Sequence, residues 1–229
     1  MRRLLVVLAV LVLLGGAAVG GELWTRTYLA DQIAQGLQRE LALSGPPAVS
    51  LTGGPVLVGL ARQRLDGVHA ETAAWPMTIS GYQVTLRDPV VDATGIAIKG
   101  RDAVIGRLAA TARLDTADLS TLAGVPVQTD NGRLAIDYSV TVLGQELTAR
   151  VSGVPELDPQ AQTLKIGDAQ ISVVGFPLTP ELSQQLVDQV VKPIPVTLDY
   201  GLKLEAIRVA ADGLTLQVTG QDVVLPWRR

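Results

Sequence analysis

The sequence contains no cysteine and only one histidine, His69. Without thiols the chain cannot form disulfides, a thiolate nucleophile or a zinc ribbon, and a single imidazole cannot supply a histidine-rich metal site. We therefore expect no metal and no cofactor. His69 lies in the strand-like stretch GVHAETAAW, and we interpret it as a strand residue near the surface.

Aromatic residues are also scarce, at 3% of the 229 residues. Nucleic-acid and carbohydrate modules stack bases or sugars on aromatic rings, so both classes are disfavoured. The 19 basic and 22 acidic residues give a net charge of −3, which provides no general attraction to polyanions. We expect no nucleic-acid partner.

Motifs that mark many active sites are missing as well. No serine stands in a Gly-x-Ser-x-Gly elbow, and Gly53-Gly54-Pro55 is not followed by the Lys-Ser/Thr of a phosphate loop. Six aspartates mostly adjoin proline, glycine or threonine, where Asp serves as a turn former. They are Asp88, Asp92, Asp115, Asp130, Asp158 and Asp168. We expect that the protein is not an enzyme.

The N-terminus has Arg2-Arg3 followed by an uncharged, largely aliphatic run from Leu4 to Gly21. Its first part has the length of a signal-peptide core, and Ala18-Val19-Gly20 is an acceptable cleavage site. As a helix, the whole run would span about 27 Å, close to the hydrocarbon thickness of a bilayer, with the arginines on the cytoplasmic side. Residues 1–21 are therefore a signal peptide or an uncleaved N-terminal membrane anchor, and we expect an exported chain.

An amphipathic helical pattern follows, from Leu23 to Leu41, with Ile33 and Leu37 on its apolar side. The prolines of SGPP at 44–47 end it. A shorter helical stretch, TADLSTLA, covers 116–123.

A later helix is indicated from Thr179, which suits an N-cap ahead of Pro180, to Val191. Its apolar stripe consists of Leu182, Leu186, Val187, Val190 and Val191. This amphipathic helix needs an apolar surface to lie on.

Most of the remaining chain alternates apolar and polar residues with the period of half-buried strands. The clearest runs are 82–86, 96–98, 108–114, 134–142 and 147–151. Short clusters of Gly, Asp and Pro separate them, as in an antiparallel meander. No linker interrupts the pattern, so we expect residues 22–229 to form one domain.

The alternation changes parity in three places. The changes fall near Gly220, at Ala206-Ile207 and across Gly167-Asp168. A β-bulge inserts one residue, reverses the facing of the side chains and bends the strand. A turn at each position is the alternative, because Gly-Asp dipeptides also form turns. In either case the sheet should wrap.

These elements predict an α+β fold with an elongated, tubular-lipid-binding-like architecture, in which a long, strongly curved antiparallel β-sheet wraps around amphipathic helices. Such an arrangement either packs as a solid core or leaves an elongated apolar groove suited to an acyl chain. Two interpretations follow. The chain is a lipid-binding or lipid-transfer protein, or it is a non-liganded structural scaffold of the cell envelope.

Three segments resemble a known family: GGPVLVGLARQRLDGVHA (53–70), FPLTPELSQQLVDQVV (176–191) and PVTLDYGLKLEAIRVAADGLTLQVTGQDVVL (195–225). With gaps, the chain from about Glu22 to Leu225 resembles the LmeA-like family of actinobacterial cell-envelope phospholipid-binding proteins. The resemblance implies a periplasmic or cell-envelope binder of phospholipid, with phosphatidylinositol-type lipids as ligands. It also implies an N-terminal signal or membrane anchor and a role in the maturation of mannan-bearing lipoglycans such as lipomannan.

The positions that would touch lipid follow from the apolar pattern. We expect the groove to be lined by Ile33, Leu37, Leu57, Leu60, Leu182, Leu186, Val187 and Val190. Arg62 and Arg64 stand beside the apolar run 56–60, where they could bind a phosphate headgroup. The alternative for this pair is two solvated arginines on a short helix.

Overall fold

The computed structural model describes residues 2–79, 81–99, 102–142, 145–173, 194–196 and 198–226, and the side chains of residues 1–20 lie outside the description. The described helices are α1 (Arg2–Glu40), α2 (Val56–Ala61) and α3 (Thr116–Ala123), and a short 3-10 turn covers Asp199–Gly201. The strands are β1 (Ala48–Thr52), β2 (Arg64–Glu71), β3 (Ala74–Ile79), β4 (Tyr82–Lys99), β5 (Asp102–Asp115), β6 (Val127–Asp130), β7 (Arg133–Val142), β8 (Gln145–Asp158), β9 (Thr163–Val173), β10 (Ile194–Pro195), β11 (Lys203–Ala210) and β12 (Gly213–Pro226). The predicted helix at 179–191 lies outside the described residues.

The two earlier helical predictions are confirmed. The first corresponds to the second half of α1. The second is α3, which begins after Asp115, whose carboxylate accepts a hydrogen bond of 2.8 Å from the amide of Asp118. Gly124 ends α3 in the left-handed conformation, with φ +69°. Among the residues described with their side chains, no helix has the length and apolar character needed to span a membrane.

The described strands form two sheets, and the pairs with a defined register are antiparallel. The seven-stranded sheet has the order β1-β2-β4-β5-β12-β11, with β3 paired to β4, and the five-stranded sheet has the order β10-β9-β8-β7-β6. The prediction of a mostly antiparallel, β-rich fold with few helices is thereby confirmed. The prediction of one sheet was wrong, because alternation identifies a strand but not its partners.

Internal contacts divide the chain into two compact units. Unit 1 comprises Met1–Glu71, Val91–Leu108 and Asp222–Arg229, and unit 2 comprises Thr72–Val90 and Ala109–Gln221. The first boundary between the units falls between β2 and β3, and the other three fall inside β4, β5 and β12. One domain for residues 22–229 stays a prediction.

Both units bury small aliphatic side chains. In unit 1 these belong to Ala34, Leu43, Val56, Ala93, Ala103, Ile105 and Val223. In unit 2 they belong to Val84, Leu114, Ala135, Ala149, Leu204 and Leu214. No polar or charged side chain of the described residues is fully buried. The hydrophobic effect on aliphatic groups therefore supplies the cohesion of each unit.

Two of the parity changes are bulges between paired strands. In the β8–β9 ladder, Asp168 and Ala169 lie opposite the single residue Gly153. In the β11–β12 ladder, the register shifts between Leu204 and Ala206. Both bulges lie where the sequence alternation changes parity, so these predictions are confirmed.

The third parity change lies inside β12, which runs without a break from Gly213 to Pro226. Asp222 has φ +50°, the left-handed conformation found in one type of bulge. Leu214 and Val223 have opposite parity, yet both are buried. The chain does not reverse at Gly220, and the change of parity is absorbed near Asp222 as predicted.

Some strand boundaries differ from the prediction. The runs 82–86 and 96–98 belong to one strand, β4, in which Asp88 and Gly95 have φ values of +44° and +66°. Asp88 was interpreted as a turn former, but an aspartate tolerates the left-handed conformation in a bulge as well as in a turn. The series from Val196 to Leu204 is interrupted by the 3-10 turn, where Tyr200 has φ +59°.

Candidate functional site

A cleft of about 270 Å³ lies within unit 1. It is lined by the end of β1, the loop that precedes α2, one side of α2 and the first residues of β2. Val56 and Val58 supply apolar surface, and Arg62, Arg64 and Asp66 supply charge. The cleft therefore combines an aliphatic wall with two guanidinium groups.

Glu22 of α1 holds the N-terminus of α2 beside this cleft. Its carboxylate accepts hydrogen bonds from the amides of Val56, at 2.6 Å, and Leu57, at 3.2 Å. The first amides of a helix have no partner within the helix, so a carboxylate at this position stabilises it. These hydrogen bonds, with that of Val56 the largest cause, hold the pKa of Glu22 below 4.5.

Arg26, one turn further along α1, fixes the loop that leads into α2. Its guanidinium donates to the carbonyl oxygens of Leu51, Gly53 and Gly54 at 2.9, 3.0 and 2.6 Å. It also forms an ion pair with Glu22 at 3.0 Å. Glu22 and Arg26 together attach α2 and its preceding loop to α1, and we call this pair the clamp.

The loop and α2 approach β2 so closely that two positions require glycine. A Cβ at Gly53 would lie 2.3 Å from the Cβ of Asp66, and Gly53 has φ +96°. A Cβ at Gly59 would lie 2.6 Å from the carbonyl oxygen of Arg64. The amide of Gly54 donates to the Asp66 carboxylate at 2.7 Å, which also ties the loop to β2. Gly53 and Gly59 therefore allow the close approach that gives the cleft its shape.

Arg62 and Arg64 flank a chain reversal between α2 and β2. Gln63, between them, has φ +54°, and its carbonyl accepts from the amide of Ile98 at 3.0 Å. Both arginines are exposed and line the cleft. Neither forms an ion pair with a residue that the structure describes. Guanidinium groups match the charge and geometry of a phosphate, so two arginines on one cleft favour binding of this anion.

Four of the predicted aliphatic site residues are described by the structure, and they lie outside the cleft lining. Leu57 and Leu60 lie on α2 with exposed side chains. Ile33 and Leu37 are half-buried on α1. Leu182, Leu186, Val187 and Val190 lie outside the described residues. Of the predicted set, the cleft brings together Arg62 and Arg64.

The size of the cleft determines what it can hold. Pockets that bury a drug-sized ligand have volumes of about 300–1,000 Å³, so a cleft of about 270 Å³ accommodates a headgroup and not two acyl chains. A second opening of about 370 Å³, in unit 2, is formed by residues 129–132 and 209–211 at two turns. It contains no arginine or lysine side chain, so the cleft in unit 1 is the stronger phosphate-binding candidate.

Possible catalytic or metal-binding groups do not converge on the cleft. His69 Nδ1 lies 2.7 Å from a carboxylate oxygen of Asp92, on the neighbouring strand β4. Within the described part of the chain, no three His, Asp or Glu side chains are grouped closely enough to hold a metal ion. The chemistry that the cleft offers is recognition of an anion by guanidinium groups.

Comparison with known proteins identifies the family. A scan against protein-family models matches the LmeA-like phospholipid-binding family over residues 20–219, which is most of the chain. This chain belongs to that family. Comparisons with curated proteins and with solved structures gave no match.

Proposed function

We propose that this protein is a phospholipid carrier or binding protein of the cell envelope. The observation that carries the proposal is membership of the phospholipid-binding family over residues 20–219. The cleft supports it, since Arg62 and Arg64 line it together with aliphatic residues of α2, and guanidinium groups bind phosphate well. We further propose phosphatidylinositol-type lipids as the ligands and a role in lipoglycan maturation, as the family resemblance implies.

The proposal includes an architecture for the acyl chains. In it, strongly curved sheets wrap around amphipathic helices to give an elongated apolar groove that continues from the headgroup cleft. The bulges in β9, β11 and β12 support this arrangement, because each bulge bends its strand. Ile33 and Leu37 of α1 and the apolar stripe predicted at 182–190 are the further positions that we propose to contact lipid.

The location proposed is the periplasm or cell envelope. It is supported by the sequence of residues 1–21, in which Arg2-Arg3 precede the apolar run Leu4–Gly21. In this proposal the segment directs export and brings the chain to the membrane that contains its lipid.

The lipid tails should contribute more affinity than the headgroup. Each buried methylene contributes about 0.8 kcal/mol, so even a short stretch of acyl chain outweighs a single polar contact. An exposed arginine contact contributes on the order of 0–1 kcal/mol. The two arginines would therefore select the headgroup, while the aliphatic surfaces supply most of the binding free energy.

Native mass spectrometry of the full chain, purified from a bacterial host in mild detergent, tests the proposal. We expect a population whose mass exceeds that of the protein by one phospholipid, and organic extraction should release that lipid. Arg62→Ala combined with Arg64→Ala should change the headgroup composition of the bound lipid. Arg107→Ala with Arg208→Ala, two exposed arginines outside the cleft, should not. A lipid-free mass throughout would favour the non-liganded scaffold.

A further inference from the structure

Several large apolar side chains are exposed where α1 meets α2. On α1, Trp24 is 69% exposed and stacks on Tyr28, with ring centroids 5.4 Å apart and planes 10° apart. On α2, Leu57 and Leu60 are exposed and do not line the cleft. A folded domain gains nothing in water from exposing large apolar groups, so we interpret these as part of an interaction surface.

The positions of Trp24 and Tyr28 along α1 indicate what these two residues contact. α1 is one continuous helix, and Trp24 follows the apolar run Leu4–Gly21 on it by about 5 Å, at 1.5 Å per residue. Tyr28 follows by about 10 Å, but helical side chains point toward the N-terminus, which brings its ring back to Trp24. The headgroup layer of a bilayer is roughly 5–8 Å thick on each side.

The clamp brings α2 to the same level. Glu22, the first residue after Gly21, accepts from the amides of Val56 and Leu57, so the start of α2 lies beside the first helical turn after the apolar run. Trp24 is two residues from Glu22 and therefore about 200° around the helix, so the start of α2 and the aromatic pair lie on different sides of α1.

We propose that Trp24, Tyr28, Leu57 and Leu60 form a collar around α1 that inserts into the interfacial layer of a lipid bilayer. Trp and Tyr favour this layer because their rings are apolar while their polar atoms remain hydrated. Arg62, which follows α2, and Arg64, the first residue of β2, are exposed and complement the negative charge of anionic headgroups. The collar rests on the proposed membrane location, but it is a property of the folded domain. It places the mouth of the cleft at the bilayer surface, where a phospholipid could enter directly.

The absence of cysteine allows a position-by-position test on the full chain. Leu57→Cys and Leu60→Cys are labelled with an environment-sensitive fluorophore and reconstituted into vesicles of phosphatidylcholine with a minority of phosphatidylglycerol. The control is Glu40→Cys, an exposed position at the end of α1, about 29 Å beyond Gly21. We expect labels at 57 and 60 to shift to the blue, to be quenched by lipids carrying a shallow quencher, and to be several-fold protected from aqueous iodide. The label at 40 should show none of these changes.

Three outcomes would overturn the collar. The labels at 57 and 60 could remain as accessible to iodide as the label at 40, or the chain could fail to attach to vesicles. Equal responses to short-chain phosphatidylcholine below its micelle concentration would mean that the labels report a lipid in the cleft instead of a bilayer. Co-purified lipid tests the proposed function separately, so loss of the collar and loss of lipid binding can be distinguished.

A fourth variant, Trp24→Ser with Tyr28→Ser, should weaken bilayer contact of the label at 57 several-fold while the circular dichroism spectrum stays unchanged.

Discussion

Glu22 of α1 binds residues of α2 that lie 34 and 35 positions further along the sequence, and it does so through an ionised carboxylate. The hydrogen bonds from Val56 and Leu57 lower its pKa, and the ion pair with Arg26 acts in the same direction. A carboxylate with a lowered pKa in the folded state stabilises that state fully above its unfolded pKa, near 4.5. This contribution is lost as the pH falls through the lowered pKa.

Replacing Glu22 should therefore release α2. In Glu22→Ala we expect the protection factors of the Val56 and Leu57 amides in hydrogen exchange to fall at neutral pH. In the wild type the same loss should occur only on acidification below about pH 4.5. Glu22→Gln, which keeps one acceptor oxygen but no charge, should be intermediate and should lack the acid transition. Unchanged protection in Glu22→Ala would show that α2 is held by other contacts.

Substitution of Gly67, which lines the cleft, tests how closely β1 and β2 approach each other. A Cβ there would lie 2.3 Å from Thr52 Oγ1 and 3.2 Å from the carbonyl oxygen of Ala93. We expect Gly67→Ala to lower the free energy of unfolding by about 1–3 kcal/mol, because the sheet must shift. Gly45→Ala, where nothing lies within 4 Å of the added methyl, is the matched control and should be neutral or slightly stabilising.

A second variant checks the cause. Thr52→Ala removes the hydroxyl that the new methyl would meet, so Gly67→Ala with Thr52→Ala should recover part of the loss in a double-mutant cycle. Urea unfolding of the four proteins provides the measurement. Strict additivity of the two substitutions would contradict a direct clash between positions 52 and 67.

The sequence alone identifies some residues of the candidate site and not others. Arg62 and Arg64 could be selected because two cations beside an apolar run suit a phosphate. The clamp could not be selected, since Glu22 and Arg26 have the spacing of an ordinary surface pair on a helix, and their partners on the loop and on α2 depend on tertiary structure. The pattern GELWTR alone does not reveal which side of α1 faces the protein.

Among the strands, three carry an aspartate with positive φ. Asp88 in β4, Asp168 in β9 and Asp222 in β12 have φ values of +44°, +51° and +50°. Aspartate tolerates this left-handed conformation better than most residues, and in a strand it allows the side chains to change parity without a break in the chain. Strand periodicity therefore predicts where the alternation changes parity, but residue type does not distinguish a bulge from a turn at that position. The pairing of the strands into two sheets depends on contacts that alternation does not encode.

Substitutions at Asp168 test whether the bulge in β9 requires a residue that tolerates the left-handed conformation. We expect Asp168→Val to destabilise the protein by about 1–2 kcal/mol, because a β-branched residue resists the left-handed conformation. Asp168→Asn keeps the conformational tolerance while removing the ion pair with Arg133, at 3.0 Å, and should cost less than about 1 kcal/mol, as for exposed pairs. Gln170→Val, at an exposed position of the same strand, should be close to neutral. Thermal unfolding distinguishes the three, and equal losses in Asp168→Val and Gln170→Val would argue against a required left-handed residue.

The molecule as a whole carries a net charge of −3, while its aliphatic content is high and its buried side chains are Leu, Ile, Val and Ala. Long-range attraction to anionic lipid is therefore weak, and binding must come from local contacts. Family membership over residues 20–219 identifies the ligand class, and we propose that the cleft binds its phosphate. The composition could predict that apolar contacts outweigh long-range electrostatic attraction. The shape of the cleft could not be predicted in this way, because it depends on the clamp and on Gly53 and Gly59.

Lipid-exchange measurements with phospholipids of increasing acyl length, each at low and high salt, test the central claim that this protein binds phospholipid mainly through its tails. We expect affinity to rise steeply with chain length, because each buried methylene contributes about 0.8 kcal/mol, and to change little with salt. Arg62→Ala with Arg64→Ala should alter headgroup preference more than total binding. Binding that collapses at high salt and ignores acyl length would instead show a surface electrostatic contact and would contradict the account.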